Sequence, residues 1–293
     1  MRCTLLALIT LGLLAACGRQ PEPFVVDVMN SYTPVKDQGR SQTCWADAML
    51  AAIETEHIMR GDSVCLSAPY VEHCLRREPK APPSHRGMAT TLLYMIGRHG
   101  LVPHQAMPTT ADLAPRQAFM LGAVYTPLEF AHSVCAPGEY VALTADERLP
   151  YRAWHVPDAP DNWPRDSFLN VPPDTLLAVA RRATDQHHGV CWEGDTSDPG
   201  YDWPQGVARL TPLSRLTRTT DDHCMAIVGL AHDSRHRPFF ILKNSWGTGN
   251  ARQGLLYMSH DYFVHKTVAI VVPRQAVPRH LFPGATPPAP HSR

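Results

Sequence analysis

Apolar residues recur at helical spacing early in this chain and gather into strand-like runs late in it, and that segregation constrains the fold more than any other feature. Between Thr43 and Met59, the residues Trp45, Ala48, Met49, Ala52 and Ile53 repeat at helical spacing. Ser41 or Thr43 can cap the start, and Gly61 lies just past the end. Met88 to Arg98 reads as a second helix stopped before Gly100, and Asp174 to Asp185 as a third. Strand-like runs cover Gly189 to Trp192, Met225 to Leu230, Phe239 to Lys243, Gly254 to Met258 and Val268 to Val272. Helices first and strands later predict an α+β fold in two lobes. Proline is dense from Pro79 to Pro83 and again from Pro103 to Pro173, so the middle is expected to be loop and short pieces. Val277 to Arg293 is Pro-rich without periodicity, which predicts a disordered tail.

A chain of 293 residues with 44% hydrophobic content can bury a core unaided, as one large domain or two modest ones. Lys plus Arg and Asp plus Glu both number 27, so the formal net charge is zero and no electrostatic footprint points to a nucleic acid partner. His187-His188 and the other histidines lack companions at metal-ligand spacing, so neither a metal nor another cofactor is expected.

Met1 and Arg2 precede an apolar run from Leu5 to Leu14 and then small residues up to a cysteine, the pattern of an export signal. The run is too short to span a bilayer as a mature helix. Leu14-Ala15-Ala16-Cys17 resembles the lipobox of bacterial lipoproteins. That resemblance implies a signal peptide over 1–16, lipidation of Cys17, a lipid-anchored tether over 17–30, and a place in the cell envelope facing the periplasm or the exterior. An ordinary secretory signal, giving a secreted protein, is the alternative. Apart from Cys3, Cys17 and Cys44, five cysteines remain: Cys65, Cys74, Cys135, Cys191 and Cys224. An oxidising compartment permits disulfides, but an odd number cannot all pair internally.

A cysteine that attacks a carbonyl must be a thiolate, and a free thiol has a pKa of about 8.5. Cys44 sits at the first turn of the first helix, where unpaired N–H groups favour negative charge by about 0.3 to 1 kcal/mol, up to roughly 2 when partly buried. At about 1.36 kcal/mol per pKa unit, that moves the thiol by one unit or so. A second partner is needed, and an imidazolium is the usual one.

Pro34-Val35-Lys36-Asp37-Gln38-Gly39, followed by Thr43-Cys44-Trp45-Ala46, resembles the start of mature papain-like cysteine peptidases. A second match comes late: Asp222-His223 opens an apolar strand, and Ile241-Leu242-Lys243-Asn244-Ser245-Trp246-Gly247 follows. The resemblance implies a two-lobed α+β fold, with a helical lobe, a β-barrel-like lobe and the active site in the cleft between them. It implies Cys44 as nucleophile, His223 as base and then acid, Asn244 as orienter of the imidazole, and Trp246 as a shield over that contact. Gln38 and the Cys44 backbone N–H would form the oxyanion hole. Gly87 would let substrate backbone approach. The implied activity is hydrolysis of peptide bonds in a peptide or protein substrate; a catalytically inactive peptide-binding relative and a Cys-His amidase or acyltransferase are the alternatives.

Departures from the family pattern are informative. Ser41 stands where papain has a cysteine, which removes the expected partner of Cys74; Arg86 precedes Gly87 where two glycines are usual; and Gln42 replaces a common glycine. The interval from Cys44 to His223 is 179 residues, against about 130 to 150 in papain-like sequences. An insertion is therefore expected over about 111–165, between a helical lobe of about 40–110 and a β lobe of about 166–276, in a catalytic domain of 31–276 followed by a tail at 277–293. Tyr125 to Phe130, Asp174 to Asp185, and Gly254 to Ser259 with Asp261-Tyr262-Phe263 resemble the bleomycin hydrolase and aminopeptidase C branch.

Overall fold

A computed structural model describes residues 22–120 and 122–284. The expected signal peptide, Cys17 and residues 285–293 of the tail lie outside the described residues. The described chain opens with β1 (Phe24–Met29), a paired strand in a stretch read as tether. Three helices follow: α1 (Cys44–Met59), α2 (Ala68–Leu75) and α3 (Ala89–His99). A hairpin of β2 (Ala118–Met120) and β3 (Ala123–Tyr125) leads into α4 (Pro127–Val134). Thr126 and Glu129 form a capping box at the start of α4, with Pro127 in its first turn.

Strands β4 (Tyr140–Thr144), β5 (Ala153–His155) and β6 (Phe168–Asn170) come next, then α5 (Pro173–Asp185). They are followed by β7 (Val190–Gly194), the short β8 (Tyr201–Asp202) and β9 (Val207–Ala208), and the long β10 (His223–Asp233). The remaining elements are β11 (Pro238–Lys243), β12 (Leu255–Ser259), α6 (His260–Lys266) and β13 (Thr267–Pro273).

Eleven strands join one sheet in the order β5-β6-β4-β13-β7-β10-β11-β12-β9-β8, with β1 paired to β10 off that path. The first half of β10 pairs with β7, His223 lying opposite Gly194 and Ile227 opposite Val190. Its second half pairs with β1, Met29 lying opposite Gly229 and Phe24 opposite Asp233. Residues of α1, among them Trp45 and Met49, share one core with Cys191 and Cys224. Leu176 and Val179 of α5 and Phe263 of α6 share another with Trp192, Met225 and Ile227. Because β10 is covered on both faces, its sequence reads as an unbroken apolar run rather than as an alternation.

Helix α1 is buried without interruption from Trp45 to His57, so its apolar repeat belongs to an interior rod rather than to one stripe of a surface helix. Neither Ser41 nor Thr43 caps it; their hydroxyls bond each other at 2.7 Å. The tail expectation also needs correcting for 277–284. Val277 and Leu281 are buried, and Phe282 lies against Trp154 with ring centroids 6.4 Å apart. Three apolar side chains set among prolines are enough to fasten this stretch without helical or strand periodicity. The α+β class expected from the sequence holds, with six helices and one large sheet among the described residues.

Candidate active site

The two sequence blocks, some two hundred residues apart, are joined by backbone hydrogen bonds. Gln38 N–H donates to Ser245 O at 2.8 Å, and Gly247 N–H donates to Lys36 O at 3.1 Å. Gly39 turns the chain at φ +56°, and α1 begins at Cys44. This seam delivers Cys44, at the start of α1, to the first residue of β10, which is His223. Asn244 follows directly on β11, the neighbour of β10 in the sheet.

His223 Nε2 lies 2.7 Å from Asn244 Oδ1. That oxygen also accepts the Ser245 N–H at 2.7 Å, while Asn244 Nδ2 lies 3.3 Å from Tyr201 Oη. Two donors converging on one oxygen identify it as the carbonyl and place the hydrogen of the imidazole on Nε2. Cys44 lines the same small cavity as the imidazole. Trp246 lies over the imidazole with centroids 4.4 Å apart, and Trp203 and Tyr201 meet Trp246 edge-on. The His223–Asn244 bond is thus roofed by aromatic rings and withdrawn from water, which strengthens it.

The thiol of Cys44 is held well below its ordinary value, first by a hydrogen bond from Cys224 and then by the hydrogen bond and charge of His223, against the opposing effect of burial. Burial alone would lower His223, but its hydrogen bonds and the Cys44 charge override this and raise it. Opposite shifts in touching groups are what a thiolate–imidazolium pair requires. The Asp222 carboxylate is committed elsewhere. It accepts the Thr196 N–H at 2.7 Å and the Ser197 N–H at 3.2 Å, tying the β7 end of the cleft to the start of β10.

Gln38 is clamped at both ends of its amide. Its Oε1 accepts from the Ser245 hydroxyl, and its Nε2 donates to Ser41 O at 2.7 Å. Gly87 lines the cleft with Cys44 and His223. A Cβ there would meet Thr91 Oγ1 at 2.8 Å, so close packing against the first turn of α3 already favours a glycine.

Arg86 reaches across the cleft. Its guanidinium grips Asp161 Oδ2 at 2.7 and 2.9 Å and donates to the carbonyl of Asp221, two residues before His223, at 2.7 Å. The cavity beside Cys44 is left with about 10 Å³, the room of a single water. Below it, buried Glu193 accepts the Ala89 N–H at 3.2 Å. Burial raises Glu193 well above the usual carboxylate range and pushes neighbouring Asp221 up to about 6.

Three comparisons with known proteins bear on this site. A sequence model of the Peptidase C1-like family matches residues 211–286, the stretch that holds His223, Asn244 and Trp246. Cysteine proteinase 2 of Dictyostelium discoideum is 24% identical over 258 residues, covering 83% of this chain and 64% of the relative. Ananain of Ananas comosus is 23% identical over 244 residues, covering 79% and 53%.

The chain is similar in sequence to papain-like cysteine peptidases.

It spans less than two thirds of the length of these two papain-family relatives. Solved structures agree on the papain-like fold. PepW from Lactobacillus rhamnosis superposes with a TM-score of 0.67 at 14% identity, over 87% of this chain and 83% of PepW. The digestive procathepsin L2 of Tenebrio molitor larval midgut gives 0.54 at 20% identity, over 83% and 64%.

Sequence reasoning missed several residues that the papain-like fold brings to this site. Cys224 was counted only among spare cysteines, although its position directly after His223 was the available signal. Ser245, which holds the Gln38 amide, carried a signal too, since it lies inside the second motif. Asp161 comes from the Pro-rich middle of the chain, and Tyr201 and Trp203 from the short β8 and the turn after it, where no motif marks them. Behind Asn244 runs a buried polar chain. Lys243 Nζ donates to Thr33 Oγ1 at 2.7 Å, Thr33 donates to Glu54, and Glu54 Oε1 accepts from Lys36 Nζ at 2.9 Å and from the Leu66 N–H at 2.7 Å.

Proposed function

We propose that this chain hydrolyses peptide bonds by a thiol mechanism with an acyl-enzyme intermediate. The observation that carries the reading is an imidazole held by Asn244 through one nitrogen and sharing a small cavity with the thiol that opens a buried helix. Cys44 attacks the carbonyl as a thiolate. The developing oxyanion is met by the Cys44 N–H and by the Gln38 Nε2 hydrogen not used on Ser41. His223 gives its proton to the leaving amine, then takes one from the water that frees the acyl group. Asn244 and Trp246 keep the imidazole in register throughout. The long interval between Cys44 and His223 supports the bleomycin hydrolase and aminopeptidase C branch. Cleavage of a random peptide library by the soluble protein tests the reading; intact peptides after long incubation with reduced protein sink it.

Arg86 favours a second reading. Its bonds to Asp161 and the Asp221 carbonyl narrow the cleft, as expected of a relative that binds peptides without cutting them. Peptides retained but uncleaved in the same library experiment would support that outcome.

Activity is expected to follow a bell in pH. Below the depressed thiol pKa, Cys44 is protonated and cannot attack. Above the raised imidazolium pKa, His223 has no proton for the leaving amine. The plateau lies between the two, and a kcat/KM that climbs steadily to pH 9 contradicts the preformed pair.

Gln38→Ala is expected to lower kcat by about 10²-fold with KM little changed, since the lost donor acts mainly in the transition state. A variant as fast as the parent would place the oxyanion hole elsewhere.

We further propose that Cys17 is lipidated and holds the protein at a membrane in the cell envelope. The lipobox-like Leu14 to Cys17 supports this. The protein should partition into detergent, and Cys17→Ser should abolish that partition; unchanged membrane association in the variant rules out the anchor.

A further inference from the structure

We infer that Cys224 is a resolving thiol for Cys44, so that oxidation of Cys44 by a hydroperoxide ends in a Cys44–Cys224 disulfide that arrests the chemistry reversibly. The inference rests on Cys44 being the reactive thiolate of the proposed mechanism.

Placement makes the case. Side chains alternate across a strand. Cys224 and, on β7, Cys191 fall in the core shared with α1, whereas Met225 and Trp192, their neighbours in sequence, fall in the core on the other side. Cys44 opens α1 against that face. Cys44, His223 and Cys224 line the same small cavity, and Cys191 lies diagonally across the β7–β10 ladder from Cys224 on the same face. Cys44 is partly exposed while Cys224 and Cys191 are buried, so an oxidant entering the cleft meets Cys44 first. All three are free thiols in the structure.

The chemistry balances in two steps. The Cys44 thiolate attacks one oxygen of the hydroperoxide and the O–O bond breaks. The departing alkoxide or hydroxide takes a proton from the His223 imidazolium, and Cys44 becomes a sulfenic acid. Cys224 sulfur then attacks Cys44 sulfur, the S–O bond breaks, and hydroxide leaves with the Cys224 proton as water. The peroxide gains two electrons, one from each sulfur. Sulfurs that line one cavity of about 10 Å³ must close to about 2.05 Å, a movement to which rotation about χ1 of two small side chains contributes. Burial raises the Cys224 thiol well above its ordinary value. It therefore stays protonated and harmless as a competing nucleophile until a sulfenic acid forms beside it. The contact also limits further damage, because sulfinic acid requires a second peroxide to arrive before a neighbour already in place reacts.

The test uses the full chain, hydrogen peroxide at a few equivalents, alkylation of remaining thiols, and tryptic digestion without reductant. Cys44 lies in the peptide from Ser41 to Arg60 and Cys224 in that from Thr219 to Arg235. The expected product is these two peptides joined, lighter than their sum by two hydrogens. Wild-type peptidase activity should return on adding a thiol reductant. In Cys224→Ala, measured against its own starting activity, recovery should be roughly tenfold lower, with Cys44 found as sulfinic acid. Cys191→Ala, which keeps both partners, should still form the link, and Cys224→Ser serves if the alanine variant folds poorly. Cys44 as sulfinic acid beside reduced Cys224 in the wild type, or a Cys224–Cys191 link in its place, overturns the inference. The mass readout needs no turnover. A missing link with Cys44 still essential for cleavage sinks this inference alone, whereas cleavage that survives Cys44→Ala sinks the catalytic reading.

Discussion

Replacing Cys44 or His223 by alanine is expected to lower kcat by about 10⁵-fold or more, and replacing both should cost little beyond either alone. The reason is the contact between them. Cys224 and then His223 hold the Cys44 thiol low, and Cys44 helps to hold His223 protonated, so removal of His223 takes away both the proton donor and part of the support for the thiolate, and removal of Cys44 leaves nothing to attack. What survives is positioning and the oxyanion donors. Single-turnover kinetics on a cleaved library peptide provide the measurement, with circular dichroism to show that the variants fold. Independent losses that multiply in the double variant would mean that the two residues do not act as a unit. Asn244→Ala should cost less than either, because it orients rather than reacts and water can partly replace it.

The largest expected loss of stability comes from Glu54→Ala, at about 3–5 kcal/mol. Glu54 lies fully buried on α1 and accepts from Thr33, Lys36 and the Leu66 N–H, with Lys243 Nζ 4.0 Å away. Burial already pushes Lys243 down to about 8, a shift that the charge of Glu54 opposes. Removing the carboxylate leaves two ammonium groups with a lost counter-charge and the Leu66 N–H without its acceptor. Urea midpoints at neutral pH read the change. Combining Glu54→Gln with Lys243→Met should recover much of the loss, since an uncompensated buried charge is then gone. A change under about 1 kcal/mol for Glu54→Ala would show that water reaches these ammonium groups.

Much of this arrangement was legible before any coordinates. Helices α1, α3 and α5 lie within a few residues of where apolar spacing places them, and the buried run of β10 announces itself by its lack of polar residues. His223 and Asn244 were legible as a motif, but their union with Cys44 depends on the Gln38–Ser245 and Lys36–Gly247 backbone bonds. No local rule predicts bonds between residues so far apart in sequence. Arg86 was noted as a departure, yet nothing in sequence says that its guanidinium finds Asp161 in the Pro-rich middle. β1 was hidden for another reason. Val25 and Val26 stay exposed, so the strand is fixed by its ladder with β10 rather than by a buried face. The end of the chain failed differently: Val277, Leu281 and Phe282 make contacts one at a time, and isolated apolar residues among prolines look like a loop.

The pairing of β1 with β10 also sets a direction for force. Whatever is joined ahead of Phe24 leaves the molecule beside Asp233, at the opposite end of β10 from His223. The ten steps between the ends of this eleven-residue strand, at about 3.3 Å each, put those ends roughly 33 Å apart. Tension entering at Phe24 unzips the ladder from Phe24–Asp233 toward Met29–Gly229. It runs out of pairs there, because the half of β10 that carries His223 is gripped by β7 instead.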